Sequence, residues 1–219
     1  MKPEYITHKR EPFFEIARDL INKEHNVLDV GSGNGSFAKY CNMLNMHLFE
    51  GNKESALKLQ AIFKNVVYGR LPKLPFKDNF FDVIHMSHVI EHLEPDEVYQ
   101  TLIEFDRCLK NNGIIIISAP LIWSGFYDDL SHVKPYPPAI FIKYLCVGDH
   151  QNLSRNKISN KFKVERQEFR YLKSKRSISR PKSNSFFNRL FFKILNALYN
   201  KTLTFYEKTG YTIVLRKNR

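Results

Sequence analysis

Apolar positions recur at helical spacing in residues 11–23 (Phe13, Ile16, Ala17, Leu20) and predict a helix ending at Lys23. Val27–Val30 then reads as a short buried strand, followed by a loop with glycine at every second position. A helix is expected from Ser36 to about Met43, a strand over 46–50 and a second helix over 53–63. Val66–Tyr68 is a third short strand, followed by a loop carrying Pro72 and Pro75. Phe81–Met86 is a fourth strand, and Pro95–Leu109 a helix with proline suited to its first turn. Asn111, Asn112 and Gly113 form a turn signal before the fully apolar run Ile114–Ser118. Strand and helix alternate five times, which predicts an α/β, doubly wound, Rossmann-like sheet with helices on both faces. Such sheets bind ligands beyond the carboxyl ends of the strands, where the strand order reverses.

The pattern changes after Pro120. Residues 121–138 are a long loop and 139–147 a short apolar helix. Phe162–Tyr171 and Tyr211–Arg216 read as the last two strands, about 40 residues apart. Between them, 173–185 is basic and polar, and 186–200 has helical periodicity. The whole of 1–219 is taken as one domain, with 173–206 a basic linker and amphipathic helix inserted before the last strand.

Charge divides the chain. The net +12 resolves into +15 on residues 151–219 and −3 on residues 1–150. A near-neutral body is therefore joined to a basic segment suited to an anionic surface. Hydrophobic residues make up 43%, too many for general disorder. No uninterrupted apolar run is long enough to predict a spanning helix. The first residues lack an apolar signal-peptide core. Cys41, Cys108 and Cys146 are few and scattered, with no C-x-x-C pair, so a reduced cytoplasmic setting is expected.

The string VLDVGSGNG, residues 27–35, carries the first chemistry. Glycines allow a sharp turn and close approach to a ligand. A dinucleotide fingerprint would place its third glycine at position 36, which is Ser36. With HLFEGN and LPFKDNFFDVIHMSHVIEHL, then LKNNGIIIISAP, the string resembles the class I S-adenosylmethionine-dependent methyltransferases over residues 25–120, and more loosely beyond. The resemblance implies a seven-stranded sheet, mostly parallel with an antiparallel last strand. It implies S-adenosylmethionine as methyl donor and S-adenosylhomocysteine as product. Gly31, Ser32, Gly33 and Gly35 would line the methionine and ribose part, and Asp29 would hold the loop and the amino group. Glu50, 19 residues after Gly31, offers a strand-end carboxylate to the ribose hydroxyls, beside Gly51 and Asn52. Relatives place an acid after the third strand; here the residues are Gly69, Arg70 and Leu71. Arg70 accepts no hydrogen bond, so adenine is expected on backbone groups of this loop, with Arg70 and Leu71 as its neighbours.

Ser87 and His88 follow the fourth strand, and the resemblance puts them under the methionine end, with His88 a catalytic candidate. His88, Glu91 and His92 also have metal-like spacing, but no third ligand stands out, and no metal is expected. A histidine bonded to a neighbouring loop is the favoured reading of His92. A second cluster, Asp128, Asp129, His132, Lys134 and Tyr136, lies where the acceptor enters in relatives. Asp128, Asp129, His132 and Tyr136 are substrate candidates. His132 is the general-base candidate, since imidazole titrates near 6.5; the other reading is that it pins the loop.

In the tail, Phe187, Leu190, Phe191, Ile194 and Leu198 share a helical face opposite Arg189, Lys193, Asn196 and Asn200. Such a helix suits a membrane interface, aided by Lys173, Lys175, Arg176, Arg180 and Lys182. The other readings are a helix packed on the sheet and, less favoured for so apolar a face, nucleic-acid binding. The resemblance, with the 128–136 loop and the apolar insert before the last strand, implies O-methylation of a sugar or lipid-linked glycan acceptor, in the cytoplasm or at the inner membrane face. The alternatives are methylation of a small soluble metabolite or quinone precursor, and a non-catalytic adaptor at a membrane or nucleic acid.

Overall fold

The computed structural model describes residues 4–7, 9–148, 153–174, 186–202 and 204–218. A seven-stranded sheet runs through it. In chain order the elements are α1 (Glu11–Arg18), β1 (Val27–Val30), α2 (Ser36–Tyr40), β2 (His47–Glu50), α3 (Lys53–Gln60), β3 (Val66–Tyr68) and β4 (Phe81–Ser87). Then come α4 (Pro95–Cys108), β5 (Leu109–Pro120), α5 (Pro138–Leu145), β6 (Phe162–Ser174), α6 (Phe186–Thr202) and β7 (Phe205–Lys217).

Strand order is β3-β2-β1-β4-β5-β7-β6. The first five strands pair in parallel, while β7 runs antiparallel to both β5 and β6. The doubly wound sheet with an antiparallel last strand is thus the fold that the sequence predicts. The chain leaves β1 toward β2 on one side and reaches β4 on the other. The carboxyl ends of β1 and β4 therefore flank the crevice where open α/β sheets bind ligands.

Alternation along the central strands divides the core into two layers. Leu28, Ile84, Ile115, Ile117 and Ile213 join Phe105 of α4 and Phe141 of α5 on one face. Val27, Val83, Ile114, Ile116 and Val214 join Phe14 of α1, Phe37 of α2 and Leu59 of α3 on the other. Because helices cover both faces, β1 and the middle of β5 are buried at every position, which explains why they read as unbroken apolar runs.

Element ends depart from the periodicity. The first three helices stop early, at Arg18, Tyr40 and Gln60. The expected turn at 111–113 is instead absorbed into β5 as a bulge. Leu109 pairs with Phe81 and Ile114 with Val83, leaving residues 110–113 looped out, with Asn112 at φ +63°. The last two strands extend to Ser174 and back to Phe205 through a ladder with register shifts between Val164 and Arg166 and between Arg170 and Tyr171. Of the basic stretch 173–185, residues 175–185 lie outside the described residues.

The α6 helix departs most from a packed surface helix. Phe186, Phe187, Leu190, Phe191 and Ile194 are all exposed, Phe187 by 79%. Among the described residues no helix is long and apolar enough to cross a membrane.

His47, at the start of β2, lies edge-on to Phe76, Phe80 and Phe81, with ring centroids 5.4–6.1 Å away. Burial pushes its imidazole below the ordinary value of 6.5. The unfolded chain takes up this proton more readily, so His47 stabilises the fold above about pH 6.5, and the contribution is lost as pH falls from there toward the lower folded value. His47→Leu is expected to flatten part of the fall in urea-denaturation midpoint between about pH 7.5 and pH 5.

Candidate functional site

The loop after β1 is shaped by its glycines. Gly31 has φ +72°, and its amide donates to Phe49 O at 2.8 Å, tying the loop to β2. A β-carbon there would lie 2.2 Å from Val89 Cγ2. Gly33, at φ +56°, has the opposite surroundings: a β-carbon would meet nothing within 4 Å. One glycine is required by contact with the fold, and the other by backbone conformation beside open space.

Glu50 organises this loop from the end of β2. It is 8% exposed. Its Oε2 accepts from the Gly33 amide at 2.7 Å and its Oε1 from the Asn52 amide at 2.8 Å. Asn52 in turn caps α3 by accepting from Ser55 N. A carboxylate has about four acceptor positions, so both oxygens keep a lone pair for a ligand hydroxyl.

Two cavities meet at Gly31. One, of about 410 Å³, is bordered by Asp29, Ser32, Gly33, His85 and Ser87, with Arg10. The other, of about 270 Å³, is bordered by Phe49, Gly51, Arg70, Leu71, Val89 and His92. In the first, His85 Nδ1 donates to Asp29 Oδ1 at 2.7 Å, with both side chains buried. Phe37 stacks on the His85 ring at 3.7 Å between centroids. Ser32 Oγ donates to Asp29 O. Gly35 caps the start of α2.

Sequence reasoning missed His85 and Arg10. The signal for His85 was register: it pairs directly with Asp29 across β1 and β4. Arg10 precedes α1 and has no motif around it.

The segment after β4 turns away through His88, which has φ +55° and donates its amide to Ser118 O. His88 Nδ1 donates to Glu91 Oε1 at 3.1 Å. Burial lowers the His88 pKa, the Glu91 bond opposes this, and the Arg170 charge adds to the lowering. Glu91 is 1% exposed. Arg170, reaching in from β6, is also buried; desolvation brings its guanidinium down to about 10, opposed by the Glu91 charge. Sequence reasoning missed Arg170 too, since it is one cation in a basic tail.

The second cluster is only partly assembled. His132 Nδ1 donates to Phe126 O, and its ring centroid lies 5.1 Å from that of His92. His92 Nδ1 donates to Ser131 O at 3.0 Å, so both imidazoles pin the 121–138 loop. Asp129 is exposed and accepts from Ser131 N and Oγ, closing a turn; Asp128 is exposed beside it. Tyr136 is not brought to the glycine loop. It is buried, its hydroxyl donates to Leu93 O, and burial raises its pKa to about 12. It borders a separate cavity between α4 and α5.

Residues 28–117 match the family model described as a methyltransferase domain. The matched stretch runs from β1 into β5. The family uses S-adenosylmethionine and releases S-adenosylhomocysteine. The chain is 24% identical to a SAM-dependent methyltransferase from Archaeoglobus fulgidus, with 95% of each chain covered and a TM-score of 0.59. A putative methyltransferase from Bacillus halodurans superposes at a TM-score of 0.64 with 14% identity, over 97% of this chain and all of that one. Both share the fold of the domain. In sequence, 135 residues are 31% identical to a ubiquinone/menaquinone biosynthesis C-methyltransferase of Francisella tularensis subsp. novicida, 53% of either chain. An uncharacterized Methanocaldococcus jannaschii protein is 33% identical over 116 residues, 49% of this chain and 48% of that one. The chain thus spans about half the length of these curated relatives.

The methyltransferase domain fits the donor on its own geometry: an acceptor pair at Glu50, a cradle at Gly33 that a β-carbon would narrow, and two adjoining cavities. Glu50→Gln is expected to weaken S-adenosylhomocysteine binding about 10-fold or more in titration calorimetry, by removing a charge-assisted acceptor. Gly31→Ala is expected to cost about 2–4 kcal/mol in urea denaturation through collision and strain, and Gly33→Ala about 1 kcal/mol through strain alone.

Proposed function

We propose that this chain transfers a methyl group from S-adenosylmethionine to a lipophilic, ring-bearing acceptor of the quinone-precursor type, met at a membrane surface. The observation that carries the donor half is the Glu50 carboxylate, held at the crevice by two backbone amides with lone pairs to spare. Bound there, S-adenosylmethionine supplies an electrophilic methyl group on a sulfonium. The chain's own contribution is to fix the donor and exclude water from the line between acceptor and methyl carbon. Glu50 and the glycine loop hold the ribose side, while Asp29, braced by His85, faces the methionine side.

Two observations support the acceptor class. The named quinone C-methyltransferases are similar to this chain over about half of its length, which favours a quinone precursor over the sugar or glycan hydroxyl expected from the family resemblance. The exposed Phe186, Phe187, Leu190, Phe191 and Ile194 give α6 an apolar face suited to the interface of an anionic bilayer. The basic surplus of residues 151–219 acts in the same direction.

The test incubates the full chain with methyl-labelled S-adenosylmethionine and a bacterial membrane extract, then separates organic-soluble, glycan and aqueous fractions. Label is expected in the organic-soluble ring compounds, and Phe187→Ser/Phe191→Ser is expected to lower both vesicle co-flotation and labelling at least about 5-fold. Label in the glycan fraction restores the sugar reading, and label confined to small aqueous products removes the membrane surface.

A further inference from the structure

We propose that Glu91, His92 and His132 form a binding site for one divalent transition-metal ion, zinc or manganese by ligand type, at the edge of the methyl-donor crevice. One donor atom from each of the three side chains lies within 4.8 Å of the other two. The residues come from distant places: Glu91 and His92 from the 3₁₀ turn after β4, His132 from the loop after β5. The third ligand that the spacing of His88, Glu91 and His92 lacks is supplied by the fold, 40 residues further on.

The hydrogen bonds sort the ring nitrogens. His92 Nδ1 is spent on Ser131 O and His132 Nδ1 on Phe126 O. A proton on each Nδ1 leaves Nε2 as a lone pair. Metal-binding histidines are oriented in this way, with the second ring nitrogen donating to a backbone carbonyl. The third group is a carboxylate, which when ionised only accepts. Three acceptors therefore converge with no donor among them, an arrangement that a cation resolves.

Glu91 supplies the independent observation. It is 1% exposed, and His88 takes only its Oε1. Among the described residues, its buried Oε2 has no hydrogen-bond partner. A buried carboxylate oxygen left unpaired is costly, and its natural compensation is a hydrogen bond or a metal. Two imidazoles and one carboxylate suit a borderline divalent ion and leave positions open. Ligands on a tetrahedral ion with bonds of about 2.05 Å stand roughly 3.3 Å apart. The triangle thus has to contract by at most about 1.5 Å at its longest side, which rotation of the His92 and His132 rings can supply.

His92 also borders the cavity that meets Gly31. An open metal position would therefore lie beside the donor crevice, able to take an acceptor oxygen and lower the pKa of a hydroxyl. That role rests on the methyltransferase reading, but the metal site does not.

The test uses the untagged full chain, stripped with a chelator and dialysed. Zn²⁺ and Mn²⁺ are titrated by equilibrium dialysis, and Co²⁺ by its visible absorption. One ion per chain is expected, with a Co²⁺ spectrum of mixed nitrogen and oxygen ligation. His92→Ala and His132→Ala are each expected to weaken binding at least about 10-fold, with unchanged far-ultraviolet circular dichroism. Glu91→Gln should do the same, and if it does not fold, the two half-buried imidazoles still decide. Substoichiometric binding, or binding that survives both histidine substitutions, overturns the site. S-adenosylhomocysteine binding to the metal-free wild-type chain is measured alongside; its loss with metal binding intact overturns the donor reading alone.

Discussion

A carboxylate at 8% exposure must be given hydrogen-bond donors or lose its charge. Glu50 is given two, and both are backbone amides, Gly33 N from the loop after β1 and Asn52 N from the turn into α3. That one side chain therefore fixes three elements relative to each other: the end of β2, the glycine loop and the first turn of α3. The loop has no side chains of its own with which to hold its shape. The Gly31 amide adds a second tie to β2 at Phe49 O, so the cradle is defined by β2 as much as by its own sequence. Under the proposed function, a donor bound there would use lone pairs that the fold already orients, a rigid acceptor pair rather than a mobile one.

What was legible in the sequence follows from the distance over which each feature is encoded. The strand β1 is read to the residue because burial on both faces leaves a continuous apolar signature, whereas β3, at the sheet edge and half-exposed, is marked by its two valines and a tyrosine. Helix ends are not read to the residue, because Leu20 and the residues after Tyr40 keep an apolar pattern while their backbone leaves the helix to enter the next strand. The bulge at 110–113 reads as a turn because Asn-Asn-Gly supplies turn chemistry. Its role inside β5 depends on pairing with β4, almost 30 residues earlier.

The site divides along the same line. Gly31, Gly33 and Glu50 belong to a local motif of fixed spacing. His85 becomes part of the site only through the register of two strands, which sets it against Asp29 from 56 residues away. Arg170 is more remote: β6 follows α5 in sequence yet sits at the sheet edge beyond β7, and from there the side chain reaches in toward Glu91. Tyr136 shows the reverse error. Its motif suggests an acceptor contact, but its ring is needed in the core, where Tyr211 donates to its carbonyl and its own hydroxyl donates to Leu93 O.

The two halves of the crevice also differ in how fully their polar groups are satisfied. On the donor side Asp29, Ser32, His85 and Glu50 all have partners within the fold. On the other side, among the described residues, Glu91 Oε2 and Arg170 Nε are buried without one. Burying unpaired polar atoms opposes folding, so their persistence marks the place where the chain is shaped for something other than stability. Donor recognition is common to the fold and is built to be self-supporting. Acceptor recognition is the part that distinguishes one methyltransferase from another, and under the proposed function it would fall beside these buried charges and the loop 121–138. The charge of the chain is divided in a similar way, −3 on residues 1–150 and +15 on residues 151–219, which supply the last two strands and α6.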